Sequence, residues 1–175
     1  MIAANTIAQL GAPVLRLTAT AITDIHSPET QALIEAMQTT LAGTSGVGLA
    51  APQIGVSKRL LIVASRPTAR YPNAPLMPPT IMINPRYTTL STHQAKDWEG
   101  CLSIPGIRAL VPRHTHIRIH YTNTDGDEVD TELHDFVARV FQHEFDHLDG
   151  KVYLDRVEDN ADIIAESEYF KRIAG

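Results

Sequence analysis

Apolar residues recur at four-residue spacing through Leu33, Met37 and Leu41, with Ile34 and Ala36 beside them. Positions i and i+4 share a helix face, so this spacing predicts an amphipathic helix over residues 28–41. Ser27 stands where a hydroxyl caps free N–H groups, and Pro28 where a missing donor does no harm. The following GTSGVGLAAPQIG is too rich in glycine to stay helical. LLIVA at 60–64 predicts a short buried strand. Residues 66–79 include Pro67, Pro72, Pro75, Pro78 and Pro79 and predict a loop. Residues 81–83 begin another strand, halted near Asn84-Pro85. Residues 116–122 alternate Ile117, Ile119 and Tyr121 with polar positions, the pattern of a half-buried strand. NTDGD at 123–127 is turn chemistry, and 128–133 predicts the return strand of a hairpin. Over residues 135–148, Phe136, Val140, His143 and His147 share one face, Asp135 is placed to cap the start, and Gly150 lies just past the end. A last helix is expected over 161–173. These elements predict one α+β domain spanning residues 1–175, with antiparallel strands packed around a central helix and a helix near each end.

Composition narrows the classes. The chain has 175 residues, 43% hydrophobic and 20% charged, enough for a substantial core. A net charge of −5 argues against a nucleic-acid binder, which carries a basic footprint. A single cysteine, Cys101, excludes an internal disulfide and fits a reducing compartment. No apolar run approaches a membrane span, and the N-terminal residues lack the pattern of a signal peptide. A cytoplasmic location is the expectation.

The helix at 135–148 also carries chemistry. His143, Glu144 and His147 form H-E-x-x-H, which puts both imidazoles within reach of one metal ion, with a carboxylate beside it. With 8 His and 9 Glu in 175 residues, random order predicts about 0.02 such matches. A divalent metal lowers the pKa of bound water towards about 7 and makes it a nucleophile. The carboxylate accepts the proton and returns it to a leaving amine. A solvated charged helix face is the bland reading, but Phe136 and Val140 on the same face speak for burial. A third protein ligand is expected. Downstream the chain offers only carboxylates, such as Asp155 and Glu158; upstream it offers Cys101. A lone cysteine is ordinarily a small buried hydrophobe.

Three segments together are distinctive. GVGLAAPQ (46–53), EGCLS (99–103) and QHEFDHLDG (142–150) resemble, in order and spacing, the three motifs of the peptide deformylase family. Weaker similarity extends over residues 10–155. The resemblance implies an α+β fold with antiparallel strands around a central metal-binding helix. It also implies hydrolysis of the N-formyl group from formyl-methionine of nascent polypeptides, with release of formate. Cys101, His143 and His147 would be the metal ligands, and Glu144 the general acid and base acting on metal-bound water. The Gln53 side chain and the Leu102 N–H would stabilise the oxyanion. Val47 and Gly48 would pair with the substrate backbone as an added strand. Phe136, Val140 and the Arg139 stem would line the methionine pocket. Glu99 and Arg113 would brace the cysteine loop as an ion pair. Asp146 reads equally as a solvated helix carboxylate or as a group that orients a ligand.

The resemblance favours Fe²⁺ as the working ion; the donor set also suits Zn²⁺, Ni²⁺ and Co²⁺. It implies formyl-methionyl chains as partners and a transient association with the ribosome, with no membrane and no sequence-specific nucleic acid. His26, His93, His114, His116, His120 and His134 have no motif partner and read as surface or structural residues. Trp98 reads as core or as pocket rim. Two rivals stand against a deformylase. An H-E-x-x-H endopeptidase would take a downstream third ligand and make Cys101 dispensable. A non-catalytic binding module would tolerate loss of Glu144.

Overall fold

A computed structural model describes residues 6–68 and 71–174. Helix α1 spans Pro28–Ala42. The Ser27 hydroxyl accepts from Thr30 N at 3.2 Å, as the cap pattern predicts. The strands are β1 (Gly48–Ala50), β2 (Leu60–Ser65), β3 (Met77–Thr89), β4 (Gln94–Cys101), β5 (Ile104–His114), β6 (His116–Thr122), β7 (Glu128–His134) and β8 (Ile163–Ala165). Helices α2 (Asp135–Leu148) and α3 (Glu166–Ala174) complete the set. One sheet has the order β1-β2-β3-β6-β7 and the other β4-β5-β8, and all pairings are antiparallel.

Strand alternation gives the larger sheet two buried faces. Leu60, Ile62 and Ile83 pack with Leu33, Ile34, Met37 and Leu41 of α1. Leu61, Val63, Met82, Ile117 and Ile119 pack against Ala138, Phe141 and Leu148 of α2. The opposite side of α2 faces the second sheet through polar side chains. Arg139 donates to Val111 O at 2.8 Å and Ala95 O at 2.6 Å, and Gln142 donates to His114 O at 2.8 Å. The helix therefore joins an apolar core to a hydrogen-bonded one. This is the α+β arrangement expected from the sequence, and among the described residues no helix is long and apolar enough to cross a membrane.

Four details differ from expectation. The expected loop at 66–79 is shorter. Residues 69–70 lie outside the described residues, and Met77, Pro78 and Pro79 already belong to β3. Proline's φ suits extended backbone, and its missing donor is tolerated at a strand start. Nor does Asn84-Pro85 halt the strand. Asn84 takes φ 50°, the register shifts between Ile83 and Arg86, and pairing resumes to Thr89. The Asn84 amide holds this bulge by exchanging hydrogen bonds with Ile22 N and O at 2.9 and 2.8 Å. The third difference is the last helix, which starts five residues late. Ile163–Ala165 instead pair as β8 with Ile107–Ala109, an edge that β-branched residues can extend. Finally, Asp135 does not cap α2; it is the first helical residue, with φ 45°, after the N-cap position His134. Gly150 does take the left-handed conformation, φ 69°, and a Cβ there would lie 2.7 Å from Arg16 O.

Candidate active site

Residues 143–147 lie in the last turns of α2. His143, Glu144 and His147 are all buried. Cys101 ends β4, where a register irregularity between Glu99 and Cys101 turns the chain. One ligand atom each from Cys101, His143 and His147 falls within a cluster less than 4.8 Å across. Cys101 Sγ lies 3.4 Å from His147 Nε2. Glu99 Oε2 sits 2.8 Å from His143 Nδ1, which fixes that ring and leaves Nε2 as its other nitrogen.

Glu99 anchors a buried charge cluster. Arg113 grips it with two donors, at 2.9 and 3.1 Å, and Arg139 Nη1 donates to Oε1 at 2.9 Å. Arg113 also donates to Asp146 at 2.6 Å, and Arg156 Nη2 reaches Asp146 at the same distance. Asp146 is buried, so its reading as a solvated carboxylate is overturned. Arg139 contributes its stem to the cleft wall while its guanidinium serves Glu99 and the second sheet.

Gln53, on the 3-10 turn Ala51–Ile54 after β1, is pinned at both ends of its amide. Its Oε1 accepts from Ala50 N at 2.9 Å. Its Nε2 donates to Ser103 Oγ at 3.2 Å and approaches Cys101 Sγ at 3.4 Å. The donor is thereby held beside the cysteine. Leu102 follows Cys101 in the turn to β5 and, like Val47 and Gly48, lines the cleft. Gly48 packs against Glu144 so closely that a Cβ would fall 2.4 Å from Oε1. The glycine is needed to seat the carboxylate.

The electrostatics follow from this packing. Burial pushes the Glu144 carboxyl up to about 7, against the partial pull of the two imidazoles. Burial would also raise the Cys101 thiol, but His147 and His143 outweigh it and hold the group well below the ordinary thiol range. Burial would lower His143, yet Cys101 and Glu99 hold its pKa well above that of a free imidazole. The cluster thus stabilises a thiolate and attracts positive charge, which a proton or a metal ion can supply. Two buried atoms, Glu144 Oε2 and His147 Nδ1, have no hydrogen-bond partner among the described residues. One thiolate, two imidazoles and an adjoining carboxylate with an unpartnered oxygen fit a single divalent ion with a water beside it.

Two cleft residues carried no signal in the sequence. Tyr71, from the proline-rich segment, stacks at a tilt on Phe136 with ring centroids 4.8 Å apart. Its hydroxyl accepts from Arg108 Nη1 at 3.2 Å and donates to Trp98 O at 3.4 Å. Arg108 is fully buried and ion-paired to Glu166 of α3. A Cβ on Gly100 would come within 2.5 Å of its Cζ, which accounts for the glycine before Cys101. Trp98 is neither core nor rim; its ring meets Tyr169 and Arg172 of α3.

A helix-borne imidazole pair, a strand-borne thiolate and a buried carboxylate on an apolar cleft define the class as a metal-dependent hydrolase. Comparison with known proteins agrees. The polypeptide deformylase family profile matches residues 4–162. Peptide deformylase 2 of Nostoc sp. is 54% identical over 163 residues, covering 93% of this chain and 91% of that protein. Peptide deformylase 1 of Nitrosomonas europaea is 45% identical, covering 86% of each. Among solved structures, the class I type b peptide deformylase of Acinetobacter baumannii with Met-Ala-Ser bound superposes with a TM-score of 0.87. It is 38% identical and the match covers 90% of this chain and 100% of that one. The chain belongs to the polypeptide deformylase family.

Proposed function

We propose that this chain removes the N-formyl group from N-terminal formyl-methionine of new polypeptides and releases formate. The observation that carries the reading is Glu144, buried with an unpartnered Oε2 beside the Cys101–His143–His147 cluster, at the floor of an apolar cleft. Those three residues would hold one divalent ion, with Fe²⁺ as the working metal and Zn²⁺, Ni²⁺ or Co²⁺ able to replace it. When bound, the ion acidifies water and polarises the formyl carbonyl.

The protein's own groups do the rest. Val47 and Gly48 present backbone to the peptide, and the methionine side chain enters between Phe136, Val140, Tyr71 and the Arg139 stem. Water adds to the formyl carbon as Glu144 accepts its proton. Gln53 Nε2 and the Leu102 N–H hold the oxygen that becomes negative. Glu144 returns the proton to nitrogen, the C–N bond breaks, and formate and a free amine leave. A site that depends on a reduced Cys101 suits the cytoplasm. Substrates emerge from the ribosome, so transient association there is part of the same proposal. The Met-Ala-Ser bound to the Acinetobacter relative, a peptide with an N-terminal methionine, supports the pocket assignment.

The test is formate release from a formyl-Met tripeptide by protein prepared without oxygen and loaded with Fe²⁺ or Ni²⁺. Rapid release is expected, with little from a formyl-Gly control. No release from a folded, metal-loaded sample would overturn the proposal. The pocket has its own test in Tyr71→Ala. Loss of one aromatic wall should lower kcat/KM for formyl-Met by roughly tenfold and leave formyl-Gly nearly unchanged. Equal losses on both peptides would remove Tyr71 from the specificity pocket.

A further inference from the structure

The outward face of the β6–β7 hairpin carries four cross-strand pairs: His116 opposite His134, Arg118 opposite Glu132, His120 opposite Asp130, and Thr122 opposite Glu128. Ile117, Ile119 and Leu133, on the other face, are buried. We propose that His116, Glu132 and His134 form a second metal site, for a borderline divalent cation such as Zn²⁺, separate from the cluster at Cys101.

Their ligand atoms all lie within 4.8 Å of one another. His116 Nε2 is 2.7 Å from Glu132 Oε2, and the rings of His116 and His134 stack with centroids 4.1 Å apart. Two imidazoles and a carboxylate are a recurrent zinc ligand set that leaves a fourth position for water. A tetrahedral site with bonds of about 2.0–2.1 Å needs ligand atoms roughly 3.4 Å apart with both imidazole lone pairs aimed at the ion, so the stacked rings turn about χ2 on binding. Residues directly opposite on paired strands keep their Cβ atoms about 5 Å apart, so the sheet has already brought the imidazoles together. Arg118 Nη2 donates to the other carboxylate oxygen, Glu132 Oε1, at 2.8 Å. That bond orients the carboxylate and leaves Oε2 turned to His116. Arg118 also has a second carboxylate, Asp130, at 3.7 Å, which shares its charge.

His134 precedes the first turn of α2, nine residues before His143. At 1.5 Å per residue this is about 13 Å along the helix axis, too far for the two clusters to share an ion. An ion at the hairpin would tie β6 and β7 to the start of the helix whose other end bears the catalytic imidazoles.

The test counts two metals in one protein. The enzyme is loaded with Ni²⁺, equilibrated with Zn²⁺, freed of excess ion, and both elements are measured per chain. The expected result is one Zn²⁺ gained with Ni²⁺ retained. In His116→Gln and His134→Gln, zinc should fall about tenfold or more while nickel and formate release stay unchanged. Both side chains lie on the hairpin's outer face, and circular dichroism verifies the fold of each variant. Absence of added zinc, zinc that persists in both variants, or zinc gained only as nickel is lost would each overturn the proposal. Failure to take up nickel would instead count against the catalytic reading, and the zinc comparison among the three proteins would still decide the hairpin site.

Discussion

Glu144→Gln is expected to lower turnover by about 10³-fold without loss of bound metal. General acid–base groups typically contribute 10²–10⁴-fold, and Glu144 is the carboxylate beside the ligand cluster. Glutamine keeps the shape beside Gly48, where space is too short for even a methyl group. What it loses is the ability to take a proton from water and return it to the amine. Because Cys101, His143 and His147 are the proposed ligands and Glu144 is not among them, metal content measured by mass spectrometry should match that of the unmutated enzyme. Parallel loss of metal and activity would make Glu144 a ligand instead. The direction with pH also follows. Burial raises Glu144 to about 7, a divalent cation nearby pulls it lower, and the ionised form is the base. The kcat/KM profile should therefore climb with pH along an acidic limb below 7, and the glutamine variant should lose that limb.

The second large effect lies behind the proposed metal ligands. Glu99→Gln removes the one negative charge shared by Arg113, Arg139 and His143, all buried. Breaking a buried ion pair from one side typically costs about 3–5 kcal/mol, because the remaining charges stay uncompensated. For a chain of this size that corresponds to a fall in Tm of roughly 6–20 °C. His143 also loses the carboxylate that sets its tautomer, so metal affinity should drop about 10–100-fold. The cluster has a pH signature as well. Burial alone would raise the carboxyls, but Arg113 and His143 hold Glu99, and Arg156 and Arg113 hold Asp146, below their ordinary values of 4.5 and 3.8. Depressed folded pKa values mean that stability is fully present above those ordinary values and is lost as pH falls through the lower, folded ones. Melting temperature should therefore decline with acid below about pH 4.5, and less steeply in Glu99→Gln. A variant with wild-type Tm and metal content would show that the cluster does not hold the site.

What the sequence revealed and what it hid divide along a physical line. The spacing of His143 and His147, the Ser27-Pro28 start of α1, the alternation of β6 and the left-handed Gly150 are local patterns, and each stands in the structure where its period or backbone preference puts it. Long-range pairing decided the rest. Ile163–Ala165 form a strand only because β5 offers an edge. Asp146 is buried only because Arg113 and Arg156 converge on it from two other segments. Tyr71 enters the cleft from a segment whose prolines predicted nothing beyond a loop, and no spacing rule links it to Phe136, 65 positions later. Arg108 was hidden for the same reason, since its partners Tyr71 and Glu166 lie on opposite sides of it in the chain.

The ligand cluster draws on residues 101, 143 and 147, and its pinned amide on residue 53. These contacts close loops of tens of residues, and such closures form slowly compared with a helix or a hairpin. During synthesis the growing polypeptide exposes the Cys101 sulfur well before α2 exists to supply its imidazoles. Each new copy therefore passes through an interval in which that sulfur is free to meet oxidants, and capture of the proposed ion would close the interval by tying the cysteine to imidazoles that enter the chain later.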